Sequence, residues 1–201
     1  MSWLEVDQDQ ERPGEAAVEQ LWRSIEVRPI DESLPAVEEL LAELRRMYAC
    51  GGAFLARFKV EGGRDLDWFA SRNRLGEISF FSRFLMHPSV THALPEPTRD
   101  ATFNESFAVE SRSSFTLDGE LARAIVMGGA YLDFEGRPGD AKRLASRVCD
   151  ALFGDRFLDV DVYRSGSAWS PWFLMPVFDT TYFIVDKREQ VVSILIATDE
   201  D

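Results

Sequence analysis

The sequence predicts an α+β domain in which helices pack on a mostly antiparallel sheet and strands fill the C-terminal third. Three observations carry this. Apolar stripes at helical spacing dominate the first two thirds, above all Val37, Leu40, Leu41, Leu44, Met47 and Tyr48, and later Ala141, Leu144, Ala145, Val148 and Leu152. From Trp169 the chain turns to aromatic and β-branched residues, which suit strands. Helices and strands do not alternate regularly, which disfavours a wound βαβ sheet. With 201 residues, 45% of them hydrophobic, an ordinary core is available. At this size folding buries about 70% of the surface the unfolded chain exposes. The reading is a flexible acidic N-terminus over 1–14 and one domain over 15–201.

The elements follow in order. Residues 1–14 are polar and end in Pro13-Gly14, so they are expected to fray on the surface. Val18, Leu21, Trp22 and Ile25 share a helical face, and Pro29 closes that helix. The next helix has Ser33 as its cap, Pro35 in its first turn and Gly51-Gly52 as its stop. Phe54, Ala56, Phe58 and Val60 alternate with Leu55, Arg57 and Lys59, the pattern of a strand with one inward face. The stretch 66–75 is ambiguous. Ile78, Phe81, Phe84 and Leu85 suggest a helix stopped by His87-Pro88. Residues 87–102 read as a Pro-rich connecting loop. Phe103 to Phe115 reads as strand or irregular chain. Thr116 or Asp118 caps a helix carrying Leu121, Ala122, Ile125 and Val126, followed by a short strand at Tyr131–Phe134. The clearest helix runs over 140–153, with Gly154 just past its end. Leu158, Val160 and Val162 alternate with Asp159, Asp161 and Tyr163. Strands then follow at 172–178, 180–186 and 191–197, the last two as a hairpin across Lys187 to Gln190.

Charge bounds the function. The formal net charge is -13, from 35 Asp and Glu against 22 Lys and Arg. Such a surface repels phosphate backbones and anionic membranes and speeds encounter with basic partners. Nucleic acid and membrane are therefore not the expected partners. No apolar run approaches the roughly 20 residues of a membrane span. The N-terminus has no basic segment followed by an apolar one, so a cytoplasmic location is expected. Cys50 and Cys149 stand outside any CxxC and are expected to be buried free thiols.

Motifs for chemistry are scarce. The Gly-Gly pairs at 51–52, 62–63 and 128–129 belong to no phosphate-binding pattern and read as helix ends or turns. There is no GxSxG elbow, and His87 and His92, the two histidines, fall in the expected loop without partners at catalytic spacing. Zinc lacks a third soft ligand, and no cofactor signature is present. Asp159 and Asp161 sit two apart on one strand, so their carboxylates project together; Asp179, Asp186, Asp199 and Asp201 come near if the strands pair as expected. Such a cluster holds Mg²⁺ or Ca²⁺ or is simply the solvated face of a half-exposed strand. Trp169, Trp172, Phe173, Phe178, Tyr182 and Phe183 are core aromatics or line an interface, with Trp172 beside a Ser/Gly loop that can present its ring.

The C-terminal pattern W-x-x-W-F, D-x-T and T-D-x-D is carried by Trp169, Trp172, Phe173, Asp179, Thr181, Thr198, Asp199 and Asp201. It resembles the tail of small bacterial proteins of unknown function, over about a fifth of the chain. In size, acidity and lack of catalytic motifs the chain is also similar in type to immunity proteins of polymorphic toxin systems, which bind and block a toxin domain. The expectation is an acidic binding protein, an immunity-type inhibitor of a basic toxin or other basic protein. Its contact surface would centre on Asp159, Asp161, Asp179, Asp199, Glu200 and Asp201, with Trp172 as anchor. The alternative is a divalent-metal-dependent enzyme using the carboxylates of Asp159 and Asp161.

Overall fold

The aromatic and β-branched run at the C-terminus forms the middle of the sheet. The computed structural model describes residues 2–4, 9–94, 107–173 and 178–199. Its strands are β1 (Glu26–Pro29), β2 (Gly52–Glu61), β3 (Glu110–Arg112), β4 (Val160–Ser165), β5 (Thr180–Asp186) and β6 (Val191–Thr198). They form one sheet in the order β1-β2-β6-β5-β4-β3, with every neighbouring pair antiparallel. The fold is α+β, as the sequence predicts. The β5–β6 hairpin is central, and its register sets Tyr182 opposite Leu195 and Phe183 opposite Ile194.

Helices cover both faces of this sheet, so β5 is buried along its whole length and β6 nearly so. One layer comprises α1 (Glu15–Ser24), α3 (Gly63–Ser71), a 3-10 turn at Leu75–Ile78, α4 (Phe80–Leu85) and α5 (Pro88–Ala93). It packs Leu21, Leu66, Phe69, Phe80 and Phe84 against Phe58, Phe183, Ile194 and Ile196. The opposite layer comprises α2 (Pro35–Met47), α6 (Leu117–Met127) and α7 (Pro138–Phe153). Here Leu40, Leu44, Leu121, Leu144 and Val148 meet Val162, Tyr182, Ile184 and Leu195. Residues that alternate along the hairpin therefore enter two cores, which explains why its apolar run is nearly continuous.

Several local expectations need correction. Trp3 is fully buried rather than part of a frayed end, and its backbone N–H bonds the Lys187 carbonyl at 2.9 Å. The Trp68 Nε1–H in turn donates to the Gln10 carbonyl at 3.0 Å, so the chain around these residues is tied to the domain. Residues 26–29, beyond the end of α1, form an edge strand; Pro29 is tolerated there because an edge residue can spare its missing N–H. Ser33 caps nothing: α2 begins after Leu34, whose side chain makes no cap bond. The expected loop at 87–102 opens as α5, because the imidazole of His87 caps that helix by accepting the Ser89 N–H at 3.2 Å and Pro88 suits its first position. The rest of that loop, 95–102, and the start of the next expected segment, 103–106, lie outside the described residues.

Tyr131–Phe134 is not a strand, and Tyr131 and Leu132 are exposed. The alternation begun at Leu158 starts two residues too early, since β4 starts at Val160 and Leu158 is exposed. For the expected strand at 172–178, Trp172 lies in a turn, and 174–177 lie outside the described residues. Among the described residues no helix is long and apolar enough to cross a membrane.

The helix α7 is assigned to the core by its buried stripe, so Leu144→Ala is expected to cost about 2–5 kcal/mol through lost burial and a residual cavity. A denaturant melt measures it, and a loss under about 0.5 kcal/mol would detach this helix from the core.

Candidate functional site

The C-terminal carboxylates were the expected contact surface, and the structure assigns two of them a different task. Asp199 follows β6 and is fully buried. Its Oδ1 accepts the Cys50 N–H at 2.9 Å and its Oδ2 accepts the Ala130 N–H at 2.8 Å. One carboxylate thus clamps the loop after α2 and the loop after α6 to the end of the sheet. Two glycines make room for it. A Cβ on Gly129 would lie 2.1 Å from Asp199 Oδ2, and one on Gly51 would lie 2.0 Å from the Thr198 carbonyl oxygen. These Gly-Gly pairs serve close backbone approach. Asp179 is also buried and accepts a hydrogen bond from the Thr198 hydroxyl. Neither acid reaches a partner without the fold opening. Glu200 and Asp201 lie outside the described residues.

At the other end of the sheet the acids are neutralised one by one. Asp161 lies on β4 and forms an ion pair with the Lys187 Nζ at 3.1 Å; that ammonium also donates to Asn73 Oδ1 at 3.0 Å. Asp159 pairs with Arg188 at 2.7 Å. Asp186, buried at the end of β5, accepts from the Arg156 Nε at 2.8 Å and from the N–H groups of Arg188 and Glu189 at 3.1 and 3.0 Å. That last arrangement is an Asx-type turn, and it shapes the hairpin. Asp159 and Asp161 therefore do not stand as two open ligands on a solvated face. Among the described residues no group of three or more His, Cys, Asp or Glu side chains is placed to hold a metal ion.

The aromatic candidates are mostly core. Trp169 is buried, and its Nε1–H donates to the Thr181 hydroxyl at 2.8 Å. Trp172 is half-buried, edge-on to Phe54 and Phe173 with ring centroids 5.4 Å apart in each case. It covers the start of β2 rather than standing out as an anchor. Of the cysteines, Cys149 is buried, with its thiol pushed up to about 12 chiefly by that burial, whereas Cys50 is exposed, against expectation.

The exposed apolar residues were not singled out from sequence. Leu158 is 83% exposed and Phe115 is 62% exposed. The ring of Phe115 stacks on that of Phe157 with centroids 5.1 Å apart, and the Phe157 carbonyl accepts from the Ser114 hydroxyl at 2.7 Å. The short turn before α6 thus presents Phe115 against the half-buried Phe157, which is followed in the chain by the exposed Leu158. Asp150 and Asp155 are exposed on the same stretch of chain and form no ion pair among the described residues. The sequence signal existed, since Leu158 lies one turn before the strand, but strand periodicity assigned it to the core.

No protein-family model matches the chain, and neither a curated protein nor a solved structure matches it.

Two outcomes follow from this geometry. Removing the Asp199 clamp by Asp199→Ala takes the acceptor from two part-buried amides. Bonds to a charged acceptor contribute about 1.5–3 kcal/mol each, so a loss of about 3 kcal/mol or more is expected in a denaturant melt. A loss under about 0.5 kcal/mol would show that the two loops close without it. The second concerns His87, whose pKa burial lowers from the ordinary 6.5. Only the neutral ring accepts the Ser89 N–H. The unfolded chain takes up this proton first, so stability falls as pH drops from about 6.5 through the folded value. His87→Asn keeps a capping oxygen and removes the titration. The variant should show a flatter stability profile between about pH 7 and pH 5; an unchanged profile would remove His87 from the balance.

Proposed function

We propose that the chain is an acidic binding protein of the immunity type, which engages and blocks a basic protein partner such as a toxin domain. The contact centres on Phe115, Phe157 and Leu158 instead of the C-terminal carboxylates. The observation that carries the reading is the exposure of Leu158, next in sequence to Phe157, and of Phe115, whose ring stacks on that of Phe157. An interface draws most of its energy from a few apolar or aromatic anchors that lose their water on contact, while charge around them sets encounter rate and partner choice. Asp150 and Asp155 supply such charge nearby, and the net charge of -13 attracts a basic surface from a distance. The two free thiols suit a cytoplasmic setting, where cysteines stay reduced.

The partner to test is the product of the adjacent reading frame, because an inhibitor and its target are made together. Association is measured at about 50 mM and 300 mM salt, on either side of the ionic strength where the screening length is about 8 Å. The on-rate should fall with salt. Leu158→Asp and Phe115→Ser, both on exposed side chains, should raise the off-rate at least about tenfold, equivalent to 1.4 kcal/mol, with the melting temperature unchanged. A salt-independent on-rate, or off-rates that ignore both substitutions, would overturn the reading.

A further inference from the structure

A second feature lies away from this patch, in a cleft of about 390 Å³ between α6 and the β3–β4–β5 side of the sheet. Pockets for small ligands begin at roughly this size. Its floor comes from strand register. Arg164 on β4 is directly opposite Tyr182 on β5, and Arg112 on β3 is opposite Val162, two residues along β4. Side chains two apart share a face, so both guanidinium groups rise on the side that α6 covers. The roof comes from helical spacing: Glu120, Arg123, Ala124 and Met127 fall on one face of α6 and all line the cleft. Three arginines converge in a chain whose net charge is -13.

Two of these cations lack a carboxylate partner among the described residues. Most other described arginines are matched to carboxylates, as in Arg83 with Glu19 at 2.7 Å and Arg46 with Glu43 and Arg147 with Glu39, both at 2.8 Å. Among the described residues Arg123 and Arg164 have no ion-pair partner, despite the excess of acid. Arg112 pairs with Glu110 on the exposed edge strand. Arg164 is held in place without being neutralised: its Nε donates to the Thr180 hydroxyl at 3.1 Å and its guanidinium lies 6.0 Å from the Tyr182 ring centre. Both Arg123 and Arg164 act on the phenol of Tyr48, opposing the rise that burial and Asp199 impose on it, so their fields overlap at one place. Like charges brought together in a partly enclosed space repel unless an anion joins them.

The other walls describe the rest of the ligand. Tyr182 donates to Glu120 Oε2 at 3.0 Å, which fixes that carboxylate and leaves it able to accept from a hydroxyl or amine. Tyr48, Phe178 and Met127 offer apolar surface. We propose that this cleft binds a small organic oxyanion, a phosphate or carboxylate on an apolar body, with Arg123 and Arg164 gripping the head group. Guanidinium groups suit both head groups because two parallel N–H bonds match two oxygens. The cleft is independent of the proposed protein contact, as neither Phe115 nor Leu158 lines it.

The test titrates the full chain with phenyl phosphate, benzoate, inorganic phosphate and benzyl alcohol, following backbone amide signals by NMR. Saturable shifts on α6 and β4 with phenyl phosphate or benzoate, absent with benzyl alcohol, are the expected result, and the tighter of the two acids names the head group. Arg123→Gln changes an exposed side chain, so it should leave the melting temperature unchanged and weaken binding at least about tenfold; Arg164→Gln should do the same to binding. Shifts spread over the whole surface, equal affinity in both variants, or equal response to benzyl alcohol would overturn the proposal. A chain lacking Glu200 and Asp201 that binds where the full chain does not would also overturn it, by showing that the protein's own terminal carboxylates fill the cleft.

Discussion

The structure depends on the β5–β6 hairpin being dry on both faces. A central antiparallel pair with helices on either side must supply apolar side chains in both directions, and Phe183, Val185, Ile194 and Ile196 face one core while Tyr182, Ile184, Leu195 and Ala197 face the other. The polar groups that a strand pair needs at its ends then have no water to turn to. Each is answered internally. Asp186 orders the tight end of the hairpin through two backbone amides and Arg156. At the open end Thr181 receives the Trp169 indole, Thr198 bonds Asp179, and Asp199 clamps two loops. Burying a carboxylate is tolerable only when its oxygens are satisfied, and Asp186 and Asp199 each accept two backbone amides.

This explains what the sequence revealed and what it hid. Helical stripes such as that of α7 and the hairpin with its turn were legible because apolar periodicity is a direct record of burial. The two-sided cover was also implicit, since β5 and β6 are too uniformly apolar for a sheet with one wet face. The role of the acids was not legible. Asp199 and Asp155 are the same residue type in one acidic chain, yet one is sealed beneath two loops and the other faces water. Only long-range contacts distinguish them, and Cys50 and Ala130 are far from Asp199 in sequence. Trp3 is hidden for the same reason: a lone aromatic in a polar leader has no periodic neighbours to mark it as core. Leu158 failed in the opposite direction, because two-residue alternation extends past the point where the strand begins.

The division of charge organises the surface. Carboxylates at the sheet ends serve the fold, and most arginines are paired off with carboxylates. Asp150 and Asp155 lie on the same stretch of chain as the exposed Leu158, and Arg123 and Arg164 both line the cleft beneath α6. The two places are opposite in sign, one with exposed apolar and acidic side chains and the other a cleft lined by arginines. On the two proposals, a chain dominated by acid would carry one feature for a basic macromolecule and one for a small anion.

The claim on which this rests is that Asp199 joins two loops to the central hairpin as one cooperative unit. Native-state hydrogen exchange measures it most directly, because amides that open only with the core share its opening free energy. The amides of Cys50 and Ala130 should exchange as slowly as those of Phe183 and Ile194. If they instead exchange at the rate of exposed turn amides while the hairpin stays protected, Asp199 is not a clamp and the loops are held by something else.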